Sequence, residues 1–345
     1  MIFLIDFNLI TQNFFSPPIL FFFLGMIAVG LKSDLHVPKD IAKFFSLYLL
    51  MDIGFKGGHE LYENGFSTQI AGLLGACLVM AFITPVYCFF ILKKKFGVPD
   101  AAAMAATFGS VSAVTFITAQ DFLKSANIPQ GGYMVAGMAL MESPAIIIGV
   151  LLFRIFNNEK ETEIDPAELA LLGGKMPSQL EGSSWGHILK DAMFNGSVLL
   201  LVGSMIIGIS TGNSGWKSFM PFDAIFKGIL AFYLLDNGII AAERLKSLRG
   251  SVGFLIVFGT LMPLFNAVLA ILISKFILQA GIGDSLLFTT LCASASYIAV
   301  PAAMRLAIPK ANPAFTVPVA LSIVFPFNII VGIPLYFGII QSLNP

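Results

Sequence analysis

The stretch Ala101-Ala-Ala-Met-Ala-Ala-Thr-Phe-Gly-Ser-Val-Ser-Ala-Val-Thr-Phe-Ile-Thr118 is apolar enough for a membrane, yet it carries a glycine and five hydroxyl side chains. A second stretch, Asp284-Ser-Leu-Leu-Phe-Thr-Thr-Leu-Cys-Ala-Ser-Ala-Ser-Tyr-Ile-Ala-Val-Pro301, sets Ser294 and Ser296 in register with Ser110 and Ser112 at a shift of 184 residues. Gly109 beside small hydroxyls, and Pro301 in the matching region, allow both helices to break near the bilayer midplane. Unwound backbone survives there only when it is buried in protein or lines a polar cavity. A break frees N–H groups at the start of each new half-helix, and these groups with the helix dipole make a small-anion site. Two such ends around one anion need no buried Lys or Arg. The unwound carbonyls and hydroxyls opposite suit a hard cation such as sodium. Small residues also let membrane helices pack closely, but two breaks at matching positions favour a site.

Composition sets the frame for these stretches. Of 345 residues, 57% are apolar and 12% charged, with 34 Phe and a net charge of zero from 20 basic and 20 acidic side chains. Soluble domains run near about 25% charged, so this chain is expected to be an integral membrane protein, surrounded by lipid. At roughly 20 residues per span, its apolar content caps the spans near ten. No segment clusters Lys and Arg densely enough to track a phosphate backbone, so no nucleic-acid partner is expected. Cys77, Cys88 and Cys292 lie in apolar runs without metal-ligand spacing and read as packing residues. Met1 to Leu9 does not fit a cleaved secretory signal.

Hydropathy and breakers divide the chain into ten spans: 17–31, 41–57, 68–92, 99–123, 133–156, 188–210, 222–242, 251–278, 284–306 and 315–340. The polar, acidic stretch 157–184 separates the two sets of five. The shift of 184 also brings Asp52-Ile-Gly54 onto Asp236-Asn-Gly238, Gly75 onto Gly259 and Asp100 onto Asp284, while a shift of 178 pairs Gly25 with Gly203. An odd number of spans per unit makes the repeats inverted. The expected fold is therefore an all-α integral membrane protein of ten transmembrane helices in two inverted five-helix repeats, with broken fourth and ninth helices. Its parts are 1–156, a cytoplasmic linker over 157–184, and 185–345. With both termini extracytoplasmic in a plasma (inner) membrane, 15 basic residues fall inside and 5 outside, the latter being Lys56, Lys124, Lys217, Lys227 and Lys275.

Carboxylates inside spans are costly and expected to face polar surroundings. Asp52 and Asp236 lie toward opposite ends of spans two and seven and read as structural or gating groups. Glu142, followed by Ser143-Pro144, is the candidate for proton or cation linkage, or for a hydrogen bond to a broken helix. Asp100 and Asp284 are expected to cap spans four and nine. Arg305 either faces an inner vestibule or snorkels. His36, His59 and His187 are placed at span ends or in loops, without metal-ligand spacing.

The segments Phe108-Gly-Ser-Val-Ser-Ala-Val-Thr115, Glu142-Ser-Pro-Ala145, Ser294-Ala-Ser-Tyr-Ile-Ala-Val-Pro301 and Arg305-Leu-Ala-Ile-Pro-Lys-Ala-Asn-Pro313 resemble the sodium-dependent bicarbonate transporter family known from cyanobacteria. The resemblance implies a core domain holding the broken helices, a gate domain and a homotrimer. It implies bicarbonate held at Ser110, Val111 and Ser112 and at Ala299, Val300, Pro301 and Ala302. The family's small soluble regulatory protein of nitrogen-regulator type is a further implied partner. Where the cyanobacterial transporters carry an Asp in the ninth-span motif, this sequence has Tyr297, and the neighbouring Ser and Gly are Ala299 and Val300. That exchange removes the strongest sodium ligand and leaves Ser112, Ser294 and Ser296, beside Glu142, as cation-binding oxygens.

The leading expectation is a secondary transporter of a small anion, most plausibly bicarbonate, with sodium as a possible coupling ion and no other cofactor. The alternative is a small-carboxylate carrier or proton/cation exchanger on the same scaffold. Enzyme readings fail on placement: Asp52 and Asp236 sit at opposite depths and cannot share a proton, and no span holds a His to activate a serine.

Overall fold

The computed structural model describes residues 15–65, 67–157, 196–245 and 252–344, and these are helical with no strand among them. The expected linker, apart from Asn157, and His187 lie outside the described residues. The helices are α1 Pro17–Gly30, α2 Lys39–Asn64, α3 Thr68–Leu92, α4 Val98–Gly109, α5 Ala113–Ser125 and α6 Met134–Phe156. After the linker come α7 Gly196–Asp223, α8 Phe226–Leu245, α9 Val252–Leu272, α10 Ile282–Ala293, α11 Ala299–Ala307 and α12 Pro313–Leu343. Among the described residues, six stretches are long and apolar enough to cross a membrane: 68–92, 98–125, 134–156, 199–223, 253–277 and 313–343.

Local sequence explains the boundaries. Pro17-Pro18 open α1, and the Ser67 hydroxyl caps α3 by accepting from the Ile70 N–H at 3.3 Å. Two helices run further than hydropathy suggests. α2 continues past Gly57-Gly58 to Asn64, because these glycines let its backbone approach Gly132 and Met205. α7 passes the expected stop at Ser210 through a kink at Gly212, whose φ of 53° favours glycine, and ends at Asp223.

Packing sorts the helices into two groups. α1 lies mainly on α8 and α2 mainly on α7, with α2 and α8 in contact. In the other group α3 packs on α6 and α4, and α9 and α12 pack on α10. α3 and α9 keep apolar faces exposed, including Val79, Phe82 and Ile83 on one and Val257, Leu261 and Phe265 on the other. Such continuous apolar bands suit hydrocarbon. The stretch 98–125 is the opposite case, almost wholly enclosed by its neighbours. A helix without a lipid face can carry hydroxyls and interrupt its backbone.

Candidate functional site

Both expected breaks are present. α4 stops at Gly109 and α5 starts at Ala113, so Ser110, Val111 and Ser112 are unwound; α10 stops at Ala293 and α11 starts at Ala299. Gly109 is required because a β-carbon there would overlap the Pro85 ring of α3. The two breaks bond to each other. The Ser296 N–H donates to the Thr107 carbonyl at 2.9 Å. In return the Ser112 N–H donates to the Ser294 hydroxyl at 3.0 Å, and that hydroxyl donates to the Leu291 carbonyl at 2.9 Å.

A serine holds the start of each new half-helix, Ser112 as the N-cap of α5 and Ser296 from two residues before Ile298, the N-cap of α11. Ser112 Oγ accepts from the Thr115 N–H at 3.2 Å, and Ser296 Oγ from the Val300 N–H at 3.4 Å. A helix leaves its first N–H groups unused within itself, so after capping α5 still presents Ala113 and Val114. In α11 the Val300 donor is occupied and Pro301 has none, leaving Ala299. Ala113, Val114 and Ala299 all line one cavity of about 50 Å3, together with Val111, Ser112, Ser296, Tyr297 and Glu142. Apolar residues close it: Leu49 and Leu50 of α2, Ile117 of α5, Met138 of α6 and Leu201 of α7.

Of the residues singled out in sequence, Val111, Ser112, Ala299, Ser296 and Glu142 meet at this cavity. Ser110 is buried beside it, Ser294 ties the breaks together, Val300 is buried, and Ala302 continues α11. Pro301 faces a second, wider cavity of about 530 Å3, lined also by Lys43, Asp236, Arg244 and Arg305. Ser46, Tyr233, Tyr297 and Ile298 line both cavities and so form the wall between them.

Several expectations change. Gly97 and Gly281, not Asp100 and Asp284, hold the N-cap positions. The carboxylates lie in the first turns and reach outward. Asp100 accepts from the Asn312 N–H at 2.7 Å, before α12, and Asp284 accepts from the Gly131 N–H at 2.6 Å and from the Tyr133 hydroxyl, before α6. His59 is buried inside α2, bonded to Asn213 at 2.8 Å and stacked on Trp216.

Sequence reading missed the groups that hold the second break from behind. Asn266 of α9 donates to the Cys292 carbonyl and Asn328 of α12 to the Ala293 carbonyl, each at 2.9 Å. Tyr87 and Tyr336 donate in turn to these asparagines. An amide in an apolar span is the signal that could have found them, since a buried amide needs partners. Tyr233 and Ser46 were also missed. No group of three or more metal-ligating side chains occurs among the described residues. A search of curated proteins finds no match, whereas the sequence profile of the Na+-dependent bicarbonate transporter superfamily matches residues 17–341, and the chain belongs to that superfamily.

Proposed function

We propose that the protein is a secondary transporter that moves a small anion, bicarbonate, by alternating access. The observation that carries this reading is the small cavity where two helix breaks meet. Its volume of about 50 Å3 holds roughly three to five water-sized centres at about 10–15 Å3 each, which suits a planar anion of one carbon and three oxygens. The residues that open both half-helices line it, and no Lys or Arg does. Anion recognition then rests on backbone donors and helix ends. The group of α1, α2, α7 and α8 acts as the gate, and the remaining helices as the core that carries the site.

Three features support ten spans in inverted repeats. The α1–α8 crossing has its counterpart in α7–α2: a β-carbon on Gly238 would overlap the Phe22 carbonyl, and one on Gly54 would meet the Leu201 carbonyl. Asp100 holds the loop before α12, and Asp284, 184 residues on, holds the loop before α6. The break bonds repeat the same shift, Ser296 with Thr107 answering Ser112 with Leu291 through one inserted hydroxyl. The crossing relates Phe22 to Leu201 and Gly25 to Ser204, one residue away from the pairing of Gly25 with Gly203.

Sodium is the coupling ion of this proposal, with Ser112, Ser296 and Glu142 as the oxygens that face the cavity. A homotrimer in an inner membrane, both termini outside, completes it. The carboxylate at Glu142 favours one second reading, a proton- or cation-exchanging carrier of small carboxylates. Uptake of labelled bicarbonate into proteoliposomes, with and without an inward sodium gradient, tests the proposal. Saturable uptake stimulated by the gradient is expected; saturable acetate uptake with no bicarbonate flux would favour the second reading.

A further inference from the structure

Tyr297 stands out among the groups that the site has not yet explained. It lies in the unwound segment between α10 and α11, with 9% of its surface exposed, and its ring packs edge-on to Phe325 at 6.2 Å between centroids. Its hydroxyl is buried beside the hydroxyls of Ser112 and Tyr233, neither of which meets it in good hydrogen-bond geometry. A buried hydroxyl without a well-formed hydrogen bond is costly, and this one sits where an occupant of either cavity can supply an acceptor. The side chain lines the cavity at the two breaks and also the wider cavity next to it.

We infer that the Tyr297 hydroxyl donates a hydrogen bond to the bound anion from the wall between the two cavities, making Tyr297 an affinity- and specificity-determining residue. The inference rests on the anion reading above. Donors in the small cavity are then arranged on two sides. Ala113, Val114 and Ala299 offer backbone N–H groups at the half-helix starts, and Tyr297 offers an O–H from the unwound segment. A neutral donor completes the anion's shell without adding a charge that would have to be moved with it. The same placement obliges the ring to shift whenever the anion passes into the wider cavity, so that binding and release on that side are both controlled at one side chain.

The test is Tyr297→Phe in the purified full-length chain in lipid nanodiscs, with bicarbonate as the probe. Hydrogen bonds to charged groups contribute about 1.5–3 kcal/mol, so bicarbonate affinity is expected to fall roughly ten- to a hundredfold. Thermal stability without bicarbonate is expected to stay equal or rise, since the variant loses an unpaired buried hydroxyl and keeps the ring. Unchanged affinity in the variant would overturn the inference. So would a loss of affinity accompanied by a lower midpoint without bicarbonate, because the hydroxyl would then have an internal partner. Absence of any bicarbonate-induced stabilisation in the wild-type protein would instead remove the anion reading, and this inference with it.

Discussion

The two ends of the bundle treat the same joint in opposite ways. At the end carrying Lys124 and Lys227, opposite charges draw the helix groups together: Lys227 of α8 meets Asp121 of α5 at 3.0 Å. Beside that pair, Lys56 of α2 meets Asp223 of α7 at 3.2 Å, with the buried Asp52 and Lys124 close by. Glu60 of α2 also accepts from the Gly132 N–H. At the other end the groups part around a cavity of about 530 Å3, into which Lys43 and Arg244 project from one group and Arg305 from the other. The open end is lined by bases together with the carboxylate of Asp236, whereas at the shut end an ion pair bridges the two groups directly. The reverse conformation therefore has to break the Lys227–Asp121 pair, the ion pair that joins the two groups.

The largest expected effect comes from fixing the closed end. Asp121→Cys with Lys227→Cys, joined by a short cleavable bis-thiol reagent, should reduce bicarbonate uptake to the level of empty liposomes and restore it on reduction. Uptake indifferent to the crosslink would mean that the joint need not open there. Next is Asp223→Asn, which takes from Lys56 its paired carboxylate and leaves the buried Asp52 beside Lys56 and Lys124. Loss of a partly buried charged partner should lower stability by about 1–3 kcal/mol, read as a lower thermal midpoint in detergent. A smaller effect is expected of Asp121→Asn, because the Lys227 side chain is 63% exposed and such pairs contribute at most about 1 kcal/mol. In that background a cysteine at Ile117, which lines the small cavity, should label up to about fivefold faster with an impermeant thiol reagent. The smallest effect belongs to Arg305→Gln. Anion exchange should slow about two- to threefold at low ionic strength and recover in high salt, as expected for steering by an exposed charge.

The breaks were legible because glycine, proline and paired serines in a long apolar run have few other uses. The proposed shift of 184 residues rests on the same scarcity, since polar residues in a membrane helix are rare enough to align. What stayed hidden was whatever depends on which helix faces which. Asn266 and Asn328 could have pointed anywhere around their helices, and only packing aims them at the Cys292 and Ala293 carbonyls. Asp100 and Asp284 were misread as caps because a carboxylate in a first turn satisfies the dipole whether it bonds locally or across to another loop. The pairing of Asp121 with Lys227 joins residues far apart in the chain, with no local pattern to announce it. Tyr297 was visible as a departure from a family motif, whereas its place in a wall between two cavities needed coordinates.

The reciprocal bonds between the two breaks carry a consequence for exchange with solvent. Amides outside helices ordinarily trade their hydrogens within the fastest class. Here the Ser112 and Ser296 N–H groups are buried and each is held by the opposite break. In deuterated buffer they should outlast the frayed ends of α2 and α8, so that the least regular backbone in the membrane is also among its most slowly exchanging.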